Sequence, residues 1–461
     1  MTNVADVEQE AGFPAEQSVQ RVRDDAEFQR AVTAYRFWYP TVSVEGIFNG
    51  NREAGLADNE ALGIAATGPR QVGFTLNSDT PYGEGTLDLT DGPIVIELPA
   101  GPYIGLVDDH HQRCILDMGI PGPDQGKGGK HLLLGPDFEG EVPDGYHVGR
   151  SSSFKVLVAV RALPLGGDLQ KALEALRAVK IYPLELGSDS SLKIVDTTEM
   201  SVDWTCLRWE DNLQFWSVLH QVIEAEPVVD EFRPMYGLLS ALGIEKGKPF
   251  SPDEHTTAVL ERAAVAGRAQ LLTSAFASNR PEIRAWPDRH WEWVGLVDDN
   301  ADFETPAGLD LEARDRWFAQ AIVASPAMFR RVEGGGSLYW LACRDSTGTY
   351  LDGGEQYRLS IPLPVPGQLF WSVTVYDAET RSQVQAEQGI AALRSLFELK
   401  DLPTDGTAEL WFGPNAPAGA ATAWIQTVPG RGWFAYIRIY GPEPPAFDGS
   451  WKPSDFERLG P

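Results

Sequence analysis

The hydrophobic pattern near the N-terminus is helical. Phe28, Val32 and Tyr35 lie at three-to-four-residue spacing and predict a helix over residues 18–39. Proline lacks the N–H that an interior helical residue donates, so we expect Pro40 to end this helix.

Short β-branched runs bounded by glycine and proline follow the predicted helix. They occupy residues 94–98, 103–107 and 154–160, and each is typical of a strand. The first third of the chain therefore combines one leading helix with a β-rich region.

Helical spacing returns in the middle of the chain. Asp168 is a predicted N-cap, because a stripe formed by Leu169, Leu173 and Leu176 follows it. Further helices are predicted over residues 203–224, from the capping sequence at residues 251–254 to residue 274, and over residues 311–324.

The C-terminal part alternates at strand spacing, without intervening helices. Long strands are predicted at residues 357–361, 369–376, 409–412 and 433–440. In the last of them one face carries Phe434, Tyr436 and Arg438, and the other carries Trp433, Ala435, Ile437 and Ile439.

These patterns predict an α+β chain with two β-rich domains, sandwich-like or jelly-roll-like, joined by a helical segment. We expect residues 1–200 to form the N-terminal β-rich domain with its leading helix. Residues 201–333 are predicted to be the helical segment and residues 334–461 the C-terminal antiparallel β domain, with the glycine run at 334–336 as the boundary.

The charge of the chain narrows its expected partners. Its 461 residues include 38 Lys or Arg and 66 Asp or Glu, a formal net charge of −28. Nucleic acid and anionic membrane surfaces carry charge of the same sign, so neither is an expected partner. Many aromatic residues and predicted strand edges favour self-association as a homo-oligomer.

The expected location is the cytoplasm. The first residues show no basic region followed by an apolar stretch, which an export signal requires. No apolar run has the length of a membrane-spanning helix. The periplasm is the alternative if an export signal has been removed.

The segment Asn77-Ser-Asp-Thr-Pro-Tyr82 is the first candidate for chemistry. Asp79 is a candidate general base if burial raises its pKa, and Asn77, Thr80 and Tyr82 are candidates for substrate binding. The alternative is structural: Asp79 would bond its own backbone in a turn before Pro81.

A second polar cluster, residues 108–114, follows a predicted strand. Asp108 and His110 share one side of that segment and are candidate catalytic residues, because a nearby carboxylate makes histidine a usable acid or base. Arg113 is a candidate for substrate binding. A metal site and a structural polar turn are the alternatives; adjacent histidines on a strand point apart, so we expect no metal.

Tyr376 ends the strand predicted at residues 369–376, and Arg381 follows just past Asp377. These two residues complete the predicted binding set. A guanidinium at Arg381 can clamp a carboxylate in a bidentate pair. The alternative is a structural ion pair with one of the many acidic residues.

Familiar catalytic sequence motifs are missing. The chain has no Gly-x-Ser-x-Gly elbow, no His-Glu-x-x-His, no phosphate loop and no Gly-x-Gly-x-x-Gly after a strand. We therefore expect no cofactor.

Several segments together resemble one family. The N-terminal residues 77–82, 87–89 and 95–99 with Tyr103, followed by residues 370–377, 381–382, 440–442 and 448–453, resemble bacterial proteins that pair domain of unknown function 1254 with domain of unknown function 1214. This resemblance implies β-rich domains joined by a helical segment and assembly as a homo-oligomer. It supplies no reaction. It transfers six motif positions as functional candidates: Asn77, Asp79, Thr80, Tyr82, Tyr376 and Arg381.

Two functions remain open at this point. One is an enzyme acting on a small organic molecule by acid–base chemistry, of hydrolase or lyase type and without a cofactor. The alternative is a non-catalytic small-ligand-binding or oligomeric assembly protein, in which the same motifs fasten the β domains together.

Overall fold

The computed structural model describes residues 8–296, 301–334, 336–417, 419 and 423–460. Within them the chain forms a first β-rich part, a helical part and a second β-rich part, which confirms the α+β class. No helix in these residues is both long enough and apolar enough to cross a membrane.

The first β-rich part follows a short hairpin and one long helix. The hairpin strands are β1 (Gln9–Glu10) and β2 (Phe13–Pro14), and helix α1 spans Glu16–Glu53. The strands after α1 are β3 (Ala61–Ala65), β4 (Gln71–Val72), β5 (Tyr82–Asp88), β6 (Ile94–Leu98), β7 (Tyr103–Asp109), β8 (Cys114–Gly119), β9 (Gly129–Leu134), β10 (His147–Arg150), β11 (Lys155–Ala162), β12 (Lys180–Pro183), β13 (Lys193–Asp196) and β14 (Val202–Asp203). Helix α2 (Leu169–Arg177) lies between β11 and β12.

Helix α1 continues past Pro40, so the prediction that it ends there is wrong. Pro40 cannot donate to the carbonyls of the preceding turn. The Arg314 guanidinium takes over that role, donating to the Phe37 carbonyl at 2.7 Å and to the Arg36 carbonyl at 3.4 Å. Because the residues on both sides of Pro40 are buried, tertiary packing supports a helix that the local sequence would interrupt.

The helical part comprises five helices in the described residues. They are α3 (Gln214–Ala225), α4 (Arg233–Ser240), α5 (Glu254–Phe276), α6 (Leu311–Phe318) and α7 (Pro326–Phe329), with the short strands β15 (Glu292–Trp293), β16 (Glu304–Thr305) and β17 (Gly308–Leu309) between α5 and α6. The predicted helices at 203–224 and 311–324 are shorter in the structure than in the prediction. Asp168 caps α2 as predicted, by accepting from the Lys171 N–H. In the predicted capping sequence at residues 251–254, Asp253 is the residue that caps α5.

The second β-rich part contains the remaining strands. These are β18 (Ser337–Ala342), β19 (Tyr357–Leu363), β20 (Gly367–Asp377), β21 (Ala392–Arg394), β22 (Gly406–Gly413), β23 (Trp424–Gln426), β24 (Trp433–Pro442) and β25 (Glu457–Arg458).

Each β-rich part is a pair of open sheets packed face to face. In the first, a six-stranded sheet of order β13-β3-β5-β11-β7-β8 packs on a four-stranded sheet of order β10-β9-β6-β12. In the second, a five-stranded sheet of order β15-β18-β24-β20-β21 packs on a four-stranded sheet of order β23-β22-β19-β25. None of these sheets, as built from the described residues, closes on itself, so the sheet orders support sandwiches and give no support to a jelly roll.

The alternation predicted for residues 433–440 is present in β24. Trp433, Ala435, Ile437 and Ile439 lie inside the second sandwich. Phe434 and Tyr436 belong instead to the large core built on the helices. The second face of the five-stranded sheet therefore points out of its own sandwich, towards the rest of the chain.

Close packing of α1 on α5 depends on a glycine. A Cβ built on Gly267 of α5 would collide with the ring of Tyr35 on α1. We predict that Gly267→Ala lowers the free energy of unfolding by about 1–3 kcal/mol, as is typical of overpacked cores. Chemical denaturation followed by circular dichroism measures this.

Gly237→Ala in α4 is the matched control. A Cβ at Gly237 meets no atom within 4 Å, and alanine favours a helix over glycine by about 1 kcal/mol. Equal stability changes in the two variants would contradict the proposed α1–α5 contact.

Candidate functional site

A cavity of about 170 Å³ lies between the two sandwiches. Its floor is the outer face of the six-stranded sheet. Successive residues of a strand point to opposite faces, so this face carries every second residue of β5, β11 and β7. The floor residues are Tyr82, Glu84, Ile104, Leu106, Leu157, Ala159 and Arg161.

The intervening residues of the same strands face the inner core. Val158 and Val160 of β11 are fully buried there. Gly83 and Gly85 are inward-facing residues of β5. Because they have no side chains, α2 can pack close to the strand: a Cβ built on Gly83 would lie only 3.5 Å from Leu176 of α2. The sequence alternation of β5 thus sets small residues inward and Tyr82 and Glu84 outward.

The roof is the outward face of the five-stranded sheet. Ser337 and Tyr339 of β18 and Tyr436 and Arg438 of β24 line the cavity from this side. Tyr339 lies opposite Arg438 in the register of the two strands. The walls are the loop at residues 73–77 and the segment that contains α6 and α7, and they are largely apolar, including Phe74, Trp317, Ile322, Val323 and Met328.

Arg438 is buried, with 3% of its surface exposed. Its guanidinium donates to Thr374 Oγ1 at 3.1 Å and to the Thr75 carbonyl at 2.9 Å. Its Nε, also buried, has no hydrogen-bond partner. Burial alone would lower the pKa of Arg438, but the surrounding tyrosines and the Asp79 carboxylate outweigh burial and hold the pKa above its usual range.

Arg161 provides a second cation on the floor. Its guanidinium carbon lies 5.8 Å from the centre of the Tyr82 ring, and it interacts with the Tyr339 hydroxyl in the roof. Among the described residues, neither Arg161 nor Arg438 forms an ion pair with a carboxylate. Two buried or partly buried positive charges therefore face one cavity.

Glu84 lies on the same floor, two residues along β5 from Tyr82. Burial raises the pKa of Glu84 to about 8, against the smaller lowering effect of a hydrogen bond with Asn51. Glu84 Oε1 is buried without a hydrogen-bond partner. At neutral pH this carboxyl group is therefore mainly protonated and can donate or accept a proton.

Two residues of the predicted 77–82 site line this cavity. Asn77 Nδ2 donates to the Tyr82 hydroxyl at 2.6 Å, and Asn77 Oδ1 accepts from the Asp79 N–H at 3.0 Å. Asn77 thus closes the turn and positions Tyr82. Thr80 is buried, with 1% of its surface exposed.

Asp79 lies behind the cavity and joins the two sandwiches. Its Oδ2 accepts from Ser372 Oγ at 2.8 Å and from the Tyr440 hydroxyl at 3.0 Å. Both partners belong to the five-stranded sheet. Tyr376 of the five-stranded sheet also joins the two β-rich parts. Its hydroxyl donates to the carbonyls of Thr75 and Leu76 at 3.0 Å each.

The 108–113 cluster lies towards the other end of the six-stranded sheet. Asp108 is opposite Leu157 in the register, whereas Tyr82 is opposite Arg161, four residues or about 13 Å further along the strand. Asp108 accepts from the Ala324 N–H at 2.8 Å, and burial raises its pKa. Tyr82 and Asp108 therefore lie at opposite ends of the same face of the six-stranded sheet.

His110 lies between two carboxylates. Its Nδ1 is 2.9 Å from Glu226 Oε1 and its Nε2 is 3.0 Å from Glu45 Oε1. Burial alone would lower the pKa of His110, but these two contacts raise it to about 9. The imidazole is therefore a buried cation in an internal ion cluster, and Arg113 lies outside it, 3.9 Å from Glu231.

Arg381 is also engaged inside the protein. It is 1% exposed, forms a 2.7 Å ion pair with Glu210 and donates to the Ala319 carbonyl at 3.0 Å. The predicted set therefore divides: Asn77 and Tyr82 line the cavity, Asp79 and Tyr376 support it, and Asp108, His110, Arg113 and Arg381 lie elsewhere. The catalytic role given to His110 remains an untested prediction.

Arg161, Glu84 and Arg438 were missed as candidates by the sequence analysis. A signal for them exists in the sequence, since each is a charged residue inside a strand where the neighbouring positions are apolar or glycine. No group of three or more His, Cys, Asp and Glu side chains in the described part of the chain is arranged to hold a metal ion.

The His110 cluster generates a stability prediction. In His110→Gln the carboxylates of Glu45 and Glu226 lose their cation, and breaking a buried pair of this kind costs about 3–5 kcal/mol of unfolding free energy. The folded pKa of about 9 exceeds the ordinary histidine pKa of 6.5, so the stabilisation is fully present below pH 6.5 and is lost as pH rises through 9. Denaturation at pH 6 and pH 9.5 should show a larger loss at pH 6.

His111→Gln is the control, because His111 is equally buried but burial lowers its pKa to about 4. Its effect on stability should not change between pH 7 and pH 9.5. A His110→Gln variant of unchanged stability would contradict the ion cluster and favour a functional role for His110.

Comparison with known proteins agrees with this architecture. Residues 63–183 match the model of DUF1254 and residues 336–444 match that of DUF1214, both described as proteins of unknown function. No curated protein matches the sequence.

The solved structures that match include the following two. The crystal structure of the VPA0106 protein from Vibrio parahaemolyticus gives a TM-score of 0.56 at 18% identity, covering 94% of this chain and 100% of that one. An uncharacterised protein from Burkholderia cenocepacia gives a TM-score of 0.42 at 12% identity, with coverages of 96% and 97%. The first likeness concerns the fold alone. With a DUF1254 domain forming the cavity floor and a DUF1214 domain forming its roof, the chain belongs to the proteins that pair these two families.

Proposed function

We propose that this protein is an enzyme that binds a small organic anion in the cavity between the two sandwiches and acts on it by acid–base chemistry. One observation carries the proposal: Arg161, Arg438 and Glu84 line the same largely apolar cavity.

The arginines supply the binding energy. A buried guanidinium that no carboxylate contacts directly is costly to desolvate even with Asp79 nearby, and an anionic ligand offsets that cost with charge-assisted hydrogen bonds. The chain has a formal net charge of −28, yet two arginines place positive charge at one end of this cavity. A small apolar body would contact the aliphatic and aromatic walls.

Glu84 supplies the acid–base group. General acids and bases work best when their pKa is near the working pH, and the pKa of Glu84 is about 8. Hydrolysis and lyase reactions both use such a group and need no cofactor.

The second candidate function is non-catalytic ligand binding or assembly. The engagement of His110 and Arg381 in internal ion pairs favours it, because those residues fasten parts of the chain together. A cytoplasmic location, self-association as a homo-oligomer and the absence of nucleic acid and membrane partners stay predictions.

The first prediction here concerns binding. Wild-type protein should bind benzoate and hexanoate more tightly than the uncharged benzamide and hexanamide. In Arg161→Gln the carboxylate affinity should fall about ten- to hundredfold, since a hydrogen bond to a charged group contributes about 1.5–3 kcal/mol. Isothermal titration calorimetry measures both.

Arg150→Gln is the control for this experiment. It removes the same charge from an exposed position on β10, outside the cavity lining, and should leave affinity unchanged. Equal affinity for the acids and their amides would refute anion binding in the cavity.

The second prediction concerns turnover. A panel of small hydroxy acids, ester acids and unsaturated acids is incubated with the protein, and consumption of each is followed by mass spectrometry. Glu84→Gln should bind the consumed acid nearly as well as wild type but convert it at least a hundredfold more slowly, because an amide cannot transfer the proton.

Full turnover by Glu84→Gln would remove Glu84 from the mechanism. Binding of the acids by wild type without consumption of any would favour the non-catalytic function.

A further inference from the structure

We infer that the ligand is a monocarboxylate with a body of one ring or a short chain, and with a second, uncharged oxygen at the end away from the carboxylate. This inference rests on the proposed function and names the class of molecule that the cavity would accept.

The size of the body follows from the volume. An apolar protein cavity of about 150 Å³ accommodates benzene, and this cavity measures about 170 Å³. One ring with two small substituents, or a chain of similar volume, fits such a space.

The position of the carboxylate follows from the convergence of the two arginines on Tyr339. Arg161 interacts with the Tyr339 hydroxyl from the floor. Arg438 lies directly opposite Tyr339 in the roof, with its guanidinium carbon 5.6 Å from the ring centre. The charges of both arginines also reach Tyr82 and Tyr440. Two arginines and one carboxylate, Asp79 behind the cavity, leave this end with a net positive charge, which fits one carboxylate.

The other end of the cavity carries acidic side chains and no arginine or lysine among its described lining residues. Glu84 and Asp117 both line it, in one row across the six-stranded sheet. Glu84 lies about 7 Å from Tyr82 along β5, at the spacing of two strand residues. Burial raises the pKa of Glu84 to about 8, against the smaller effect of a hydrogen bond with Asn51, so this carboxyl group is mainly uncharged near pH 6.5. A second carboxylate at this end would meet a buried carboxyl group without a cation, which is unfavourable.

An uncharged oxygen suits this end because Glu84 Oε1 is buried and lacks a partner. A hydroxyl or carbonyl oxygen would satisfy it through one hydrogen bond, which removes the cost of an unpaired buried polar atom. Between the two ends, Ile104, Leu106 and Ala159 form an apolar stretch of floor for the body of the ligand.

The test compares four probes by isothermal titration calorimetry at pH 6.5: benzoate, 4-hydroxybenzoate, 4-hydroxybenzamide and terephthalate. Wild type should bind 4-hydroxybenzoate about tenfold more tightly than benzoate, and both more tightly than 4-hydroxybenzamide and terephthalate. Glu84→Ala should abolish the preference for the hydroxyl, so that 4-hydroxybenzoate and benzoate bind with affinities within about twofold of each other. Glu84→Gln, which retains hydrogen-bonding atoms, should preserve the preference.

A pH series with benzoate provides a readout that a purely structural role of Glu84 would not move. As pH rises from 6.5 to 9.5, Glu84 ionises and repels the carboxylate, so wild-type affinity should fall several-fold. In Glu84→Gln the affinity should stay constant over the same range.

The outcomes separate the two proposals. Terephthalate binding as tightly as 4-hydroxybenzoate, or a hydroxyl preference that survives Glu84→Ala, overturns the inference about the substrate class. If benzoate still binds better than benzamide and Arg161→Gln removes that difference, the anion site itself stands. Failure of every probe to bind overturns both.

Discussion

The buried ion pair between Arg381 and Glu210 holds the helical part against the second sandwich. Glu210 also accepts from Arg268 of α5 and from the Tyr39 hydroxyl of α1, so four separate parts of the chain meet at one carboxylate. Arg381 adopts a positive φ of 53°, which is unfavourable for a side chain of its type. Its carbonyl accepts from the Thr75 N–H at 2.8 Å. The cavity wall at residues 73–77 thus depends on where this ion pair fixes Arg381.

Hydrophobic periodicity predicted the order of β-rich, helical and β-rich parts. It could do so because the spacing of apolar side chains within each segment indicates whether that segment forms a strand or a helix. It failed where a distant residue changes the local preference. Arg314 supplies hydrogen bonds around Pro40 from more than 270 positions away in sequence, and α1 continues. The residues next to Pro40 in the sequence therefore cannot predict that the helix continues.

The candidate site was predictable in part for a related reason. Asn77 and Tyr82 act within one turn, and their spacing in the sequence reflects that turn. His110 and Arg381 were assigned to a site because polar residues at strand ends serve catalysis and internal ion pairs alike. Which of the two applies depends on Glu45, Glu226 and Glu210, whose positions only the fold reveals. Arg161 and Arg438 come together from strands 277 positions apart in chain order.

The placement of Tyr339 between Arg161 and Arg438 has a thermodynamic consequence. Each sandwich contributes one arginine, so neither holds the complete anion site alone. Any molecule held by both arginines would bind only to the arrangement in which the sandwiches are docked. Release of that molecule and separation of the sandwiches would then be linked equilibria: occupancy would strengthen the docking by RT ln(1 + [L]/Kd), and loosened docking would weaken occupancy by the same free energy.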